Sequence, residues 1–397
     1  MLEIGQIHRD EYELGEDRST PIAVAEAPGR IHFMGDQGDP ARGFFLSAAI
    51  DRYIRVAVST RKDNSFRFFA ADLKERKRST LSNLKYRRED RWANFLKTAI
   101  YIFTDMGYPM KGLNFSFCGN IPMQIGLASS VAIETAAAVA LKNLLNVQIS
   151  DADLAQKLFE AHMDFFDVEA SLADYQICLL AKKDHFLVVD SSSQEINKIK
   201  SPFSRFNILL VDSRVPPIDV ERELNSRKAD TLKGLQFLTK KFDGAGFKDF
   251  QPADLLDVLG DFPEQIRRRT VHIVEEIHRI KEACDALARN DAPSLAKIIF
   301  HSHESLRDLY EISCPEIDWL VKRAQEVEGT AGSRMTGSGF GGCTYTIIRR
   351  ELLAEYKKRL EEYERIFGFR PVFYEVKIAT GARMVSERRR VHADTAD

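Results

Sequence analysis

The sequence predicts a two-lobed α+β fold, and three observations carry that expectation. Its 397 residues exceed the roughly 250 to 300 at which a single hydrophobic core stops growing, so two cores are expected. Short segments with apolar residues at every second position alternate with longer ones whose apolar residues recur every three to four, so strands and helices are both built. Three loops rich in glycine or serine lie far apart in the chain, within 29–43, 121–130 and 332–343. One cleft between two lobes would bring them together.

Composition narrows the partners. A formal net charge of −2 argues against general affinity for nucleic acid or for anionic membrane. The five cysteines, Cys118, Cys178, Cys284, Cys314 and Cys343, are scattered and show no paired metal-ligand spacing, so they read as reduced thiols. The acid-studded start lacks the apolar core of a signal peptide, and no apolar stretch reaches the roughly 20 residues that span a bilayer. A cytoplasmic protein acting on small molecules is expected, as a monomer or weak homodimer.

In chain order, 22–27 reads as a strand that Pro28-Gly29 stops. The segment 29–43, with four glycines and a proline, reads as a loop of special backbone geometry, the kind of place where active-site groups sit. Ile54, Val56 and Val58, then Leu113, Phe115 and Phe117, alternate with more polar neighbours and predict strands with one buried side. Between them, 91–103 carries Phe95, Ile100 and Phe103 at near-helical spacing, after a charged connection at 84–91. The arginine clusters at 61–67 and 267–269 read as solvated faces. Helical runs follow at 129–145, 151–166 and 172–182, then a strand at 185–189. Ser201-Pro202-Phe203-Ser204 is the linker candidate, dividing 1–200 from 201–390, and a strand at 208–211 starts behind it. Ile266, Ile273, Ile277, Ile280, Cys284 and Leu287 predict an amphipathic helix. A strand at 344–348 leaves the last glycine-rich loop, and the terminal SERRRVHADTAD reads as a frayed tail.

The stretch IPMQIGLASSVAIETAAAVA, 121–140, points to chemistry. Gly126 breaks the chain, Ser129 and Ser130 supply adjacent hydroxyls, and an alanine-rich helix begins at once. The free N–H groups and partial positive charge of such a helix end attract phosphate. A serine-capped helix after a glycine turn is the competing reading.

Taken together, the three loops resemble the motifs of the GHMP family of small-molecule kinases, and within it those of galactokinases. Segment 29–43, GRIHFMGDQGDPARG, is similar to the first motif, roughly GRVNLIGEHTDYNGG. Segment 122–132 resembles the second, PxxxGLSSSAA, and 332–343, GSRMTGSGFGGC, the third. The stretch HESLRDLYEISCPEIDWLV at 303–321 is similar to one typical of galactokinases. The resemblance runs from about residue 22 to about 385. It implies a mixed-sheet N-terminal lobe, a ferredoxin-like C-terminal lobe and an active site between them, with ATP and Mg2+ as cofactors and a sugar as substrate.

Roles follow by resemblance, residue by residue. Arg30 would stabilise charge on the transferring phosphoryl group, and Asp174 would be the base or the carboxylate that orients the sugar hydroxyl. Gly126, Leu127, Ala128, Ser129 and Ser130 would hold the triphosphate, and Gly337, Gly339, Gly341 and Gly342 would let the third motif approach that loop. Trp92 would pack near the adenine, with core packing as the alternative. Asp36, Gln37, Asp39, Ser171 and Leu224 occupy the sugar-contacting positions.

The pattern departs from the family at the sugar and at the metal. The usual Glu-His-Thr-Asp-Tyr becomes Asp36-Gln37-Gly38-Asp39-Pro40, an expected tyrosine is Leu224, and a glycine and a glutamine flanking the catalytic aspartate are Ser171 and Tyr175. His162 stands where a magnesium-holding glutamate is usual. Ser130 with Asp164, or Glu160, are the oxygen ligands left on offer, and a partly buried helical histidine is the plainer reading of His162. A sugar kinase is expected; a non-catalytic sugar and nucleotide sensor and a kinase for a non-sugar alcohol are the alternatives.

Overall fold

The computed structural model describes residues 4–15, 20–37, 43–167, 170–216 and 220–385. Asp39, Gly38, Pro40 and the terminal tail from Ser386 lie outside the described residues. The first lobe is built on strands β1 (Ile22–Met34), β2 (Phe44–Thr60), β3 (Ser65–Ala70), β4 (Glu75–Thr80), β5 (Leu113–Gly119), β6 (His185–Asp190) and β7 (Ile196–Lys200). Its helices are α1 (Ile4–Glu11), α2 (Ala93–Asp105), α3 (Ser129–Leu144), α4 (Asp151–Phe166) and α5 (Leu172–Leu180). The sheet is mixed: β3 runs parallel to β5, and the other pairings are antiparallel.

The second lobe begins at β8 (Phe206–Asp212) and continues through α6 (Glu221–Lys241), α7 (Glu264–Ala288), α8 (Ala292–Ser305) and α9 (Pro315–Gln325) to β9 (Thr330–Thr336) and β10 (Cys343–Arg349). Strand β11 (Val372–Val376) closes an antiparallel sheet in the order β11-β8-β10-β9. Numbered within the lobe that order is 4-1-3-2, the ferredoxin-like arrangement. The chain then crosses back. Lys377 exchanges hydrogen bonds with Asp51, and β12 (Arg383–Met384) pairs with β1. The second lobe, expected over 201–390, therefore ends at Val376, and 377–385 belongs to the first.

Two expected boundaries move, for identifiable reasons. Strand β1 does not stop at Pro28-Gly29 but shifts register there and runs on to Met34, so Arg30 sits on a rigid strand rather than a loop. Glycine fits the shift closely: a Cβ on Gly29 would lie 3.0 Å from the Leu127 carbonyl oxygen, a tight approach. The arginine-rich run at 61–67 is not wholly a solvated face, since Phe66 and Phe68 of β3 point into the core at 1% exposure while Arg67 points out. Two apolar clusters form the main cores. One fills the space between the first sheet and helices α2 to α5 and runs on into the second lobe through Leu210, Ile280, Ile299 and Tyr345, and one lies among the helices of the second lobe around Phe247, Ile273, Tyr310 and Ile317. Cys118, Cys178 and Cys343 are buried, and all five thiols are free. Among the described residues no helix is long and apolar enough to cross a membrane.

Candidate active site

Strand β1 places Arg30 and His32 two residues apart, hence on one face, and both reach Asp174 in the first turn of α5. The Arg30 guanidinium grips the carboxylate through two bonds, Nε to Oδ1 at 2.6 Å and Nη2 to Oδ2 at 2.7 Å. His32 Nε2 adds a third contact to Oδ1, at 3.0 Å. Asp174 is 9% exposed. Burial pushes its pKa up, but the adjacent Arg30 and the His32 hydrogen bond more than offset this and hold it well below the usual carboxylate range. The helix N-terminus it sits in favours the same charge state. His32, buried beside Arg30, is held below its ordinary pKa, so it is neutral. Its Nε2–H therefore donates to Asp174, and its Nδ1 accepts from the Ser47 hydroxyl at 2.7 Å. Oδ1 is thereby filled. Oδ2 takes one donor and keeps a lone pair.

The serine loop joins this pair directly. Arg30 Nη1 donates to the Gly126 carbonyl at 2.5 Å, and the Arg30 backbone N–H donates to Leu127 O at 3.2 Å. Leu127 is buried, Ala128 turns the chain in left-handed conformation at φ 57°, and α3 starts at Ser129. No side chain caps that end, so the serine-capped alternative does not hold: Ser129 and Ser130 are half-buried, and the first helical N–H groups have no side-chain partner. Gly126 also touches the third motif. A Cβ on it would lie 3.0 Å from the Gly337 Cα, so only two glycines allow this approach. A cleft of about 410 Å3 opens beside them, lined by Met123, Gly126, Asp212, Arg214, Gly339 and Gly342 among others. Gly337→Ala, at φ +96° with backbone in its path, is expected to part the two loops. Titrating ATP at saturating sugar should show a KM raised about tenfold, or ~1.4 kcal/mol, with the melting temperature lowered by the strained backbone.

Other sequence-chosen residues fall elsewhere. Asp36 does not present its carboxylate to the cleft: Oδ2 accepts from Arg334 Nη1 at 2.5 Å and Oδ1 from the Gly337 N–H at 2.9 Å, with the side chain 3% exposed. It ties the first motif to the third. Gln37 beside it lines a small cavity with His272 and Glu276. Ser171 precedes α5, and its Oγ is buried with no hydrogen-bond partner among the described residues. Leu224 packs against the helical core of the second lobe with Phe340 and Leu235. Trp92 is a core residue at 7% exposure, its ring tilted against Phe117 and its indole N–H bonded to Glu75, the packing that the alternative reading describes.

Asp164 does not lie where a ligand paired with Ser130 would. Asp164 is exposed on α4. Two residues from His162 it points about 200° round the helix, away from the Glu134 side of α4. His162 Nδ1 is 2.9 Å from Glu134 Oε1, and Tyr175 OH donates to Glu134 Oε2 at 2.5 Å. Glu134, wholly buried, is thus committed. Magnesium wants an oxygen shell. Glu134, one helical turn after Ser130 on α3, is the acid nearest to it along the helix, and both of its oxygens are already paired. Among the described residues no group of three or more His, Cys, Asp or Glu is arranged to hold a metal. The residues present do not make an all-oxygen magnesium site.

His32 and Arg214 were missed in the sequence. For His32 the available signal was its two-residue spacing from Arg30; for Arg214 there was none, because its place in the cleft follows from the packing of β8 against the third motif.

With this geometry in hand, comparison with known proteins is informative. The description GHMP kinases N terminal domain fits residues 94–182, GHMP kinases C terminal fits 283–364, and Galactokinase galactose-binding signature fits 8–60. A Treponema pallidum protein named "Putative galactokinase" is 37% identical over 390 residues, covering 97% of each chain. The galactokinase of Bacillus subtilis is 31% identical over 90% of this chain and 93% of its own. Among solved structures, Lactococcus lactis galactokinase complexed with galactose superposes with a TM-score of 0.88 at 24% identity, over 96% of this chain and 99% of its own. Methanococcus jannaschii mevalonate kinase reaches 0.65 at 18%, over 91% and 99%.

Proposed function

We propose, from the premise that this chain belongs to the GHMP kinase family and is a sugar kinase of the galactokinase kind, that it transfers the γ-phosphoryl group of ATP to the anomeric hydroxyl of a monosaccharide. The acceptor is galactose or a galactose-like sugar such as a uronic acid, a pentose or a longer aldose. The observation that carries this reading is the bidentate Arg30–Asp174 pair bonded to the carbonyl of Gly126 in the serine loop. A phosphoryl donor on the loop and an acceptor hydroxyl on Asp174 would meet at one guanidinium.

Phosphoryl transfer passes through a loose transition state and needs positioning and charge neutralisation more than a strong base. Asp174 suits that demand. Held ionised, it orients the hydroxyl through the spare lone pair of Oδ2 and takes its proton late. The anomeric oxygen forms a bond to the γ-phosphorus as the bond from that phosphorus to the β,γ-bridging oxygen breaks, giving ADP and sugar 1-phosphate. Arg30 spans carboxylate and loop, so its charge lies where negative charge spreads in transfer. The uncapped end of α3 supplies N–H donors to the phosphates.

His32 sharpens the base. Its hydrogen bond helps lower the Asp174 pKa, so His32→Leu raises that pKa and the carboxylate protonates at higher pH. The acid limb of log kcat/KM is expected to move upward; an unshifted limb would contradict this coupling. The function itself is tested by ADP release across a panel of sugars, with Asp174→Asn as the control. Sugar-dependent turnover well above the control is expected. Binding of both ligands without turnover would favour a sensor, and turnover with mevalonate or homoserine alone would favour another kinase chemistry.

The sugar selectivity expected of this site differs from that of the family motif. Asp36 is withdrawn to Arg334, Leu224 offers no hydroxyl, and Ser171 adds one. A site with one polar contact moved or lost discriminates by orders of magnitude between sugars that match it and sugars that do not.

A further inference from the structure

The free edge of the first sheet, remote from the serine loop, concentrates positive charge in a cleft of its own. Strand β4 is the last in the order β12-β1-β2-β5-β3-β4, four strand spacings from β1, or about 19 Å. A cleft of about 810 Å3 runs along it, walled by Tyr12 just past α1, Arg67 of β3, Arg76, Lys77 and Arg78 of β4, and Arg87 beyond. Alternation sends Phe66 and Phe68 into the core and puts Arg67, Arg76 and Arg78 on the outer face. Arg67 and Arg78 are register partners, so two like charges stand directly opposite each other, an arrangement that costs stability when nothing lies between them. The acids of the wall do not cancel this charge. Glu11 accepts both bonds of Arg76, at 2.5 and 2.6 Å, and Asp90 is taken by the buried Lys97. Lys77 and Arg87 donate to neutral oxygens, the Glu89 carbonyl at 2.7 Å and the Asn83 amide at 2.8 Å. Arg67 and Arg78 are exposed and make no hydrogen bond or ion pair with any described residue.

We propose that this cleft is a second binding site, for a small anion carrying two linked phosphate groups, held chiefly by the facing guanidinium groups of Arg67 and Arg78. Charge alone is expected at a sheet edge as a guard against pairing, but that purpose asks for neither arginine nor a facing pair. The guanidinium fork meets phosphate oxygens two at a time, and an anion between the two arginines turns their repulsion into attraction. Arg67, Lys77, Arg78 and Arg87 have no carboxylate partner among the described residues. Those four cations match the charge of two phosphates, about −3 to −4 in all. Outward N–H groups of the edge strand add neutral donors.

The test titrates inorganic pyrophosphate into the full chain without metal, by calorimetry, and locates the bound anion by amide hydrogen exchange. Wild type is expected to bind it with an affinity that falls as salt is raised, and to show protection in peptides spanning 65–80. The double variant Arg67→Gln/Arg78→Gln is expected to bind about tenfold more weakly or worse at this site and to lose that protection. Its sugar turnover and its KM for ATP are expected to stay at the wild-type values. Without ligand it is expected to melt no lower than wild type, because the facing charges are gone; pyrophosphate then raises the melting temperature of wild type alone. No binding by wild type, equal affinity in the two proteins, or protection confined to the serine loop would overturn the proposal.

Discussion

Asp174→Asn is expected to lower kcat by about 1,000-fold or more, with the KM for ATP changed by less than threefold. The amide still accepts from Arg30 through its oxygen, so the fold is kept, but it can neither take the proton nor hold the negative charge that orients the hydroxyl. Arg30→Met is expected to cost as much, and the double variant little more than either alone, because the two side chains act as one unit bonded at 2.6 and 2.7 Å. Single-turnover measurements check this directly. A loss below tenfold for Asp174→Asn would mean that the carboxylate is structural.

The largest expected loss of stability comes from Arg334→Met. This arginine, 1% exposed, donates to Asp36, Glu276, Ser302 and the carbonyl of Met335. Removing it leaves two buried carboxylates short of a partner, which costs about 3–5 kcal/mol and should appear as a lower midpoint in urea unfolding. The pH dependence has a definite sign. Burial raises the Glu276 pKa, but Arg279 and Arg334 outweigh it and bring the value down to about 2 from 4.5. A folded pKa depressed in this way gives stability that is full above the unfolded value and is lost as pH falls from 4.5 towards 2. In Arg334→Met the folded pKa rises, so that part of the stability shrinks and the acid loss begins nearer pH 4.5. Because Asp36 and the Gly337 N–H share this network, the variant is also expected to lose sugar turnover.

Much of this was legible in the sequence, and the reasons differ by element. The serine loop, the third glycine-rich segment and the alternation in β2 and β5 report local geometry, so residue types alone disclose them. Strand β4, ERKRST, was hidden because the edge of a sheet carries charge against unwanted pairing. The extension of β1 through Pro28-Gly29 was hidden because a register shift uses the same residues as a turn. Arg30 and Asp174 were found through resemblance. Their contact, across 144 positions, is a product of folding. The ion pair of Asp36 was hidden because a chain position does not reveal that a buried arginine 298 residues away holds the carboxylate. The exposure of Asp164 follows from helix geometry, and the core setting of Trp92 from the bond between its indole N–H and Glu75.

The most direct measurement is 31P NMR of the enzyme turning over ATP with the best sugar of the panel. One new phosphomonoester resonance, coupled to the anomeric proton and growing mole for mole with ADP, is the predicted result. Phosphate on any other sugar oxygen, or both ligands bound and only ATP recovered, would contradict the account.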